Sequence, residues 1–150
     1  MYQKSLISTQ DKYNIMRLFE FDTQSSKVDA LKQFVGWAID RIGITEPPRV
    51  KFGTDVEQVR KRRTFGSTSG GGDIWVHIEN RNTADIMRTL MHELVHHKQF
   101  EDGTAHSDMT EDEEQYIEDE ANALAGRLMR EYGKQHADIY ENVSRGRRMI

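Results

Sequence analysis

Residues 92–96 read His92-Glu93-Leu94-Val95-His96, inside a run that starts at Ala84 and reaches Phe100. The run has the period of a helix. Ile86, Met87, Leu90, Met91, Leu94 and Val95 recur at steps of three and four and give one wide apolar side. Asn82 or Thr83 can cap its start and Gly103 can stop it, so the spacing predicts a helix over about residues 84–100. On a helix, positions i and i+4 share a face, one turn apart. His92 and His96 therefore point the same way, away from the apolar side and beside Arg88 and Thr89. Two imidazoles at that spacing can reach one Zn²⁺ from a single rigid element. Glu93 sits about 100° round the helix, poorly aimed to ligate but placed to take a proton from water at the metal. In a chain of this composition the pattern arises by chance in about 2% of cases.

A catalytic zinc site needs a third protein ligand and an open position. Asp102 stands where an extended version of the pattern puts its last ligand, but position 99 is Gln where that version has Gly. His97 is turned about 140° from His92 on the same helix and makes a poor co-ligand. His106 could fold back from the loop that follows. The remaining option is an acid on the next helix. Thr110-Glu111-Asp112-Glu113 announces that helix as a capping box, and three acids in its first turn suit the helix dipole. Ile117, Ala121, Leu124 and Leu128 form its core stripe, and it is expected to run to Tyr132, before Gly133.

Within that helix, Glu118-Asp119-Glu120-Ala121-Asn122, 22 residues after His96, resembles the glutamate-helix motif of the gluzincin metallopeptidases. In that group His-Glu-x-x-His is completed by a Glu on a following helix, then two residues, a small residue, and Asp or Asn. The Ala-Asn form resembles the small ImmA/IrrE-like peptidases, and the compact size resembles the minimal gluzincins. The resemblance covers about residues 73–129. It implies Zn²⁺ held by His92, His96 and Glu118, with Glu93 as general base. It also implies that the strand before the active-site helix is a sheet edge that pairs with a peptide or protein substrate, here through Trp75, Val76 and His77. Glu118 and Asn122 are i and i+4, so a carboxylate that binds metal would have an amide one turn on, able to hold a histidine's far nitrogen. Glu114 and Glu120 are the fallback ligands. Tyr116, His106, Tyr132 and His136 are candidates to steady charge opposite the metal. The rival expectation is a catalytically silent protein of the same fold, acting as a regulator, sensor or structural component.

The rest of the chain builds around this half. Ile74-Trp75-Val76-His77-Ile78-Glu79 alternates as a strand, with Ile74, Val76 and Ile78 on one face. Arg49-Val50-Lys51-Phe52 alternates likewise after Pro47-Pro48. Val28, Leu31, Val35, Ala38, Ile39 and Ile42 mark an N-terminal helix, capped by Ser25 or Ser26 and closed by Gly43. Ser69-Gly70-Gly71-Gly72 reads as a turn rather than a phosphate cradle, because a strand follows it and no Lys-Ser/Thr pair does.

At 150 residues the chain is expected to form a single α+β domain of minimal zincin-like type, with residues 1–23 and 134–150 peripheral. Its elements are the N-terminal helix, a small mixed or antiparallel sheet, the active-site helix and the glutamate helix. With no Cys, metal can sit only on His, Asp or Glu. No run of about 18 apolar residues spans a bilayer and no secretory signal is read, so a cytoplasmic protein without membrane contact is expected. Ten acids and no Lys or Arg lie between Glu101 and Glu120, against a net charge of -4 for the whole chain. That stretch is either a solvated helix start or a field that draws cations. The basic run Arg60-Lys61-Arg62-Arg63 and the tail residues Arg145, Arg147 and Arg148 lack interleaved aromatics, and nucleic acid is not expected as a partner.

Overall fold

The computed structural model describes residues 26–54 and 65–140. Residues 1–23, the basic run at 60–63 and the tail arginines lie outside the described residues, as does the side chain of Val28. Helix α1 spans Ser26–Ile42. Leu31, Phe34, Val35, Ala38 and Ile39 fall at helical spacing and are buried. The helix closes at Gly43, whose φ of +87° suits a residue without Cβ.

Strand β1, Arg49–Gly53, buries Val50 and Phe52 and exposes Arg49 and Lys51, as its alternation requires. Strand β2 is only Gly66–Thr68, and strand β3 is Asp73–His77. The glycine run turns the chain between them: Ser69 N donates to Asp73 O at 2.8 Å, and Gly72 takes a φ of +93°. The sheet is mixed, in the order β1-β3-β2, with β1 parallel and β2 antiparallel to β3.

This order corrects the expectation that residues 74–79 form the sheet edge. Trp75, Val76 and His77 lie on the central strand, with Ser67 and Lys51 registered on either side of Trp75. Their backbone groups are taken up by two neighbours, so no peptide can pair there. The short polar β2 is outermost among the described strands, which fits the rule that edge strands are kept short.

Helix α2 spans Thr83–Glu101, with the Asn82 side chain accepting from Asp85 N at 2.9 Å. Helix α3 spans Glu111–Gln135 and starts with the full capping box: Glu113 N donates to Thr110 Oγ1 at 3.2 Å, and Thr110 N to Glu113 Oε1 at 2.8 Å. It does not stop before Gly133 as expected. Gly133 is a packing residue: a Cβ there would sit 2.7 Å from the Tyr140 ring. Ile139 is buried in the core, so the chain belongs to the domain well beyond residue 134.

Helix α2 is the centre of the fold and packs against α1, α3, β2 and β3. Ile86, Met87, Leu90, Met91 and Leu94 meet the inward residues of α1, the sheet and α3 in one core. Tyr132 of α3 is buried edge-on against Phe34 and Trp37, with ring centroids 4.9 and 5.0 Å apart. The class is therefore α+β, and no helix among the described residues is long and apolar enough to cross a membrane.

Leu90 is fully buried, so Leu90→Ala should cost about 2–5 kcal/mol by urea denaturation. Thr110→Ala, which removes only the cap of α3, should cost about 1 kcal/mol. Equal losses would mean that α2 is not the packed centre.

Candidate metal centre

The apolar side of α2 is buried, which turns the opposite side toward α3. There His92 and His96 sit edge to face, with ring centroids 4.5 Å apart. Their Nε2 atoms are 3.0 Å from each other. Glu118, on the second turn of α3, reaches across with Oε1 3.2 Å from His92 Nε2 and Oε2 2.9 Å from His96 Nε2. These three side chains could hold one metal ion. Ligand atoms about 2.0–2.1 Å from a tetrahedral zinc lie about 3.3 Å from one another, so the donors already stand close to the required triangle. His96 is nearly buried and Glu118 is half exposed, so the site is anchored in the protein and open on one side.

Glu93 is buried beside this triangle but is not part of it. Burial pushes its carboxyl above the ordinary range; the Thr68 hydroxyl bond and the two neighbouring histidines oppose that shift, and Glu118 adds to it. Thr68 Oγ1 lies 2.5 Å from Glu93 Oε1 and 3.1 Å from the Glu93 backbone oxygen. Thr68 belongs to β2, which crosses close over α2 because Gly66 has no side chain. A Cβ at Gly66 would fall 2.7 Å from Thr89 Cγ2 and 3.2 Å from Glu93 Oε2. Arg81 braces the same corner, donating to Thr89 Oγ1 at 2.7 Å and stacking over the Phe65 ring at 4.4 Å. A cleft of about 350 Å³ opens between β2 and the start of α3, with His92, Glu93 and His96 in its floor.

The other candidates are elsewhere. Asn122 is exposed and bonds to neither histidine among the described contacts. Its expected role falls to Gln99, whose Oε1 is 2.7 Å from His96 Nδ1. Gln99 Nε2 donates to Ile117 O at 3.0 Å and to Glu120 Oε1 at 2.8 Å, so Glu120 serves Gln99 rather than the metal site. Asp102 caps α2 and pairs with Lys98 at 3.3 Å. His97 turns away, with Nε2 2.7 Å from Glu46 O, and His106 accepts from Asp108 N in the loop. Glu114 is exposed on the first turn of α3. Tyr116 is exposed, and Tyr132 and His136 stack on each other away from the cleft, so none of the four oxyanion candidates lines it. Val76 is in the core, and Trp75 and His77 do not line the cleft either. His77 is buried, and its Nδ1 finds no hydrogen-bond partner among the described residues.

Sequence reasoning missed Gln99, Thr68 and Gly66. Gln99 carries a signal, because i+3 from His96 is the same helix face. Thr68 and Gly66 carry only a weak one, a glycine beside residues of strand type. No family model, no curated protein and no solved structure matches the chain.

Glu93 gives a pH prediction for metal-free protein. Burial raises its carboxyl above the ordinary value of 4.5, so folding opposes its charged form. That penalty is complete above the raised value, shrinks as pH falls through it, and vanishes below about 4.5. Glu93→Gln should therefore raise Tm at neutral pH, with the gain fading toward pH 4. A gain that instead grows on acidification would contradict the burial argument.

Proposed function

We propose that the chain is a zinc-dependent peptidase of minimal zincin-like architecture, with the metal held by His92, His96 and Glu118. The observation that carries this is the convergence of three electron-pair donors within 2.9–3.2 Å, beside a buried carboxylate that is not one of them. A zinc ion there supplies a Lewis acid that polarises a substrate carbonyl and makes water more acidic. Glu93 takes the proton of the attacking water and returns it to the leaving amine. Thr68 holds Glu93 Oε1, and the missing side chain at Gly66 keeps a Cβ from crowding Oε2, the oxygen left to meet the water. An extended peptide lies in the cleft between β2 and α3, and this replaces pairing to Trp75, Val76 and His77.

A silent, structural zinc protein is the weaker reading. Such sites prefer four protein ligands, and nothing in one rewards a buried carboxylate next to the metal. Glu93 fits a base and has no part in a purely structural site.

Purified chain should bind about one Zn²⁺, and His96→Ala should abolish that binding. Glu118→Ala should weaken it, and Asp102→Ala should leave it unchanged. Glu93→Gln should keep the zinc and lower peptide hydrolysis by about 10²–10⁴-fold. Elemental analysis and peptide-library cleavage read these outcomes. A zinc-free chain that does not take up the metal would refute the centre, and equal cleavage by wild type and Glu93→Gln would refute the peptidase.

A further inference from the structure

A histidine binds metal through a nitrogen that carries no proton, so its tautomer decides whether it is ready to ligate. Gln99 settles that for His96. It is one of the most buried polar residues, 3% exposed, between α2 and α3. Its Nε2 faces two oxygens, the Ile117 carbonyl at 3.0 Å and the Glu120 carboxylate at 2.8 Å. Both only accept in their ordinary states. Turning the amide over would set its own oxygen against both of them in a buried place, at a cost no partner offsets. The orientation is thus fixed by the network rather than by the shape of the amide. Gln99 Oε1 is left facing His96 Nδ1 at 2.7 Å, and this oxygen can only accept. Gln99 therefore draws the proton of neutral His96 to Nδ1, and the rival acceptor is the Glu118 carboxylate 2.9 Å from Nε2, which a cation held by Glu118 would take out of the competition.

The same amide has a second hold. The carbonyl it binds belongs to Ile117, the residue before Glu118, and the carboxylate belongs to Glu120, two residues after it. One side chain thus ties the histidine face of α2 to the turn of α3 that carries the third donor.

We infer that Gln99 is a positioning residue of the metal centre: it locks His96 as the Nδ1–H tautomer and clips the turn at 117–120 so that Glu118 stands at ligand distance. The ligand roles rest on the zinc reading above; the tautomer lock does not. Partners of this kind, one bond behind a ligand, change metal affinity by about 10–100-fold when removed.

The lock is read first without metal. In chelator-treated Glu118→Ala, which removes the rival acceptor at Nε2 and is the background for every tautomer reading, ¹⁵N-labelled histidine held well above an imidazole's ordinary pKa of about 6.5 should show His96 as Nδ1–H. An Nε2–H form would overturn the inference. Gln99→Leu keeps the bulk and removes every bond; if folded, it should lose the tautomer preference and weaken zinc binding about 10–100-fold in chelator competition. Gln99→Glu alone keeps an acceptor at His96 Nδ1, and so the Nδ1–H signature, but sets an oxygen against the Ile117 carbonyl and the Glu120 carboxylate and should weaken binding too. The swapped pair Gln99→Glu/Glu120→Gln restores a donor facing an acceptor at position 120 but leaves the Ile117 carbonyl without one, so it should keep the Nδ1–H signature and recover part of the affinity lost by Gln99→Glu. A purely packing role predicts no such recovery, so a swapped pair as weak as Gln99→Glu would count against the proposal. So would a folded Gln99→Leu with unchanged tautomer and affinity. Nδ1–H in Glu118→Ala, together with a wild type that binds no zinc, would overturn the metal reading and leave the tautomer lock supported.

Discussion

Three lone-pair donors, two imidazole nitrogens and a carboxylate, meet within 2.9–3.2 Å on the inner face between α2 and α3. Like dipoles and charge do not gather so closely without a cation or shared protons to offset them. The fold supplies the force that brings them together. Leu90, Met91 and Leu94 bury one side of α2, and Ala125, Leu128 and Met129 anchor α3 in the same core. Hydrophobic packing on one face of α2 is thus set against electrostatic cost on its histidine face. A bound cation removes that cost, and any ligand selective for the folded chain adds RT ln(1 + [L]/Kd) to its stability.

The same logic divides the acidic stretch from Glu101 to Glu120 into separate parts. Glu101 accepts from Thr45 N, Thr45 Oγ1 and Glu46 N, at 3.2, 3.1 and 2.7 Å, and pins the loop before β1. Asp102 caps α2, and Glu111 to Glu114 fill the first turn of α3, where the helix dipole favours negative charge. Glu118 faces the histidines and Glu120 accepts from Gln99. Most of these acids thus have a local structural role. Glu93 differs from all of these in being buried, with Thr68 holding its carboxylate.

What could be read from the sequence follows the range of the interactions involved. The helices α1 and α2, the cap of α3 and the strands β1 and β3 are set by periodicity and by capping residues within a few positions, and they stand where that pattern puts them. The pair His92 and His96 is legible for the same reason, since one helix turn fixes it. Strand order is not local. Residues 73–77 have the best strand pattern and are central, yet the family resemblance implied an edge, which no local pattern could test. The true neighbour, Gly66–Thr68, is three residues long and reads as loop. Gly133 was a plausible stop only because the contact that explains it, with Tyr140, is made by a residue beyond the helix. Asn122 and Gln99 illustrate the limit at the site itself: both are one turn from a ligand in sequence, and only the packing angle of α2 on α3 decides which amide is buried against His96.

The central claim is that one zinc ion binds His92, His96 and Glu118. Crystals grown with zinc and measured on both sides of the zinc absorption edge test it most directly, because anomalous scattering marks the metal independently of any assumed ligand. The account predicts a single strong peak about 2.0–2.2 Å from His92 Nε2, His96 Nε2 and a Glu118 oxygen, with Glu93 outside bonding distance. A peak ligated instead by Asp102, His106 or Glu120, or no peak between α2 and α3, would contradict it.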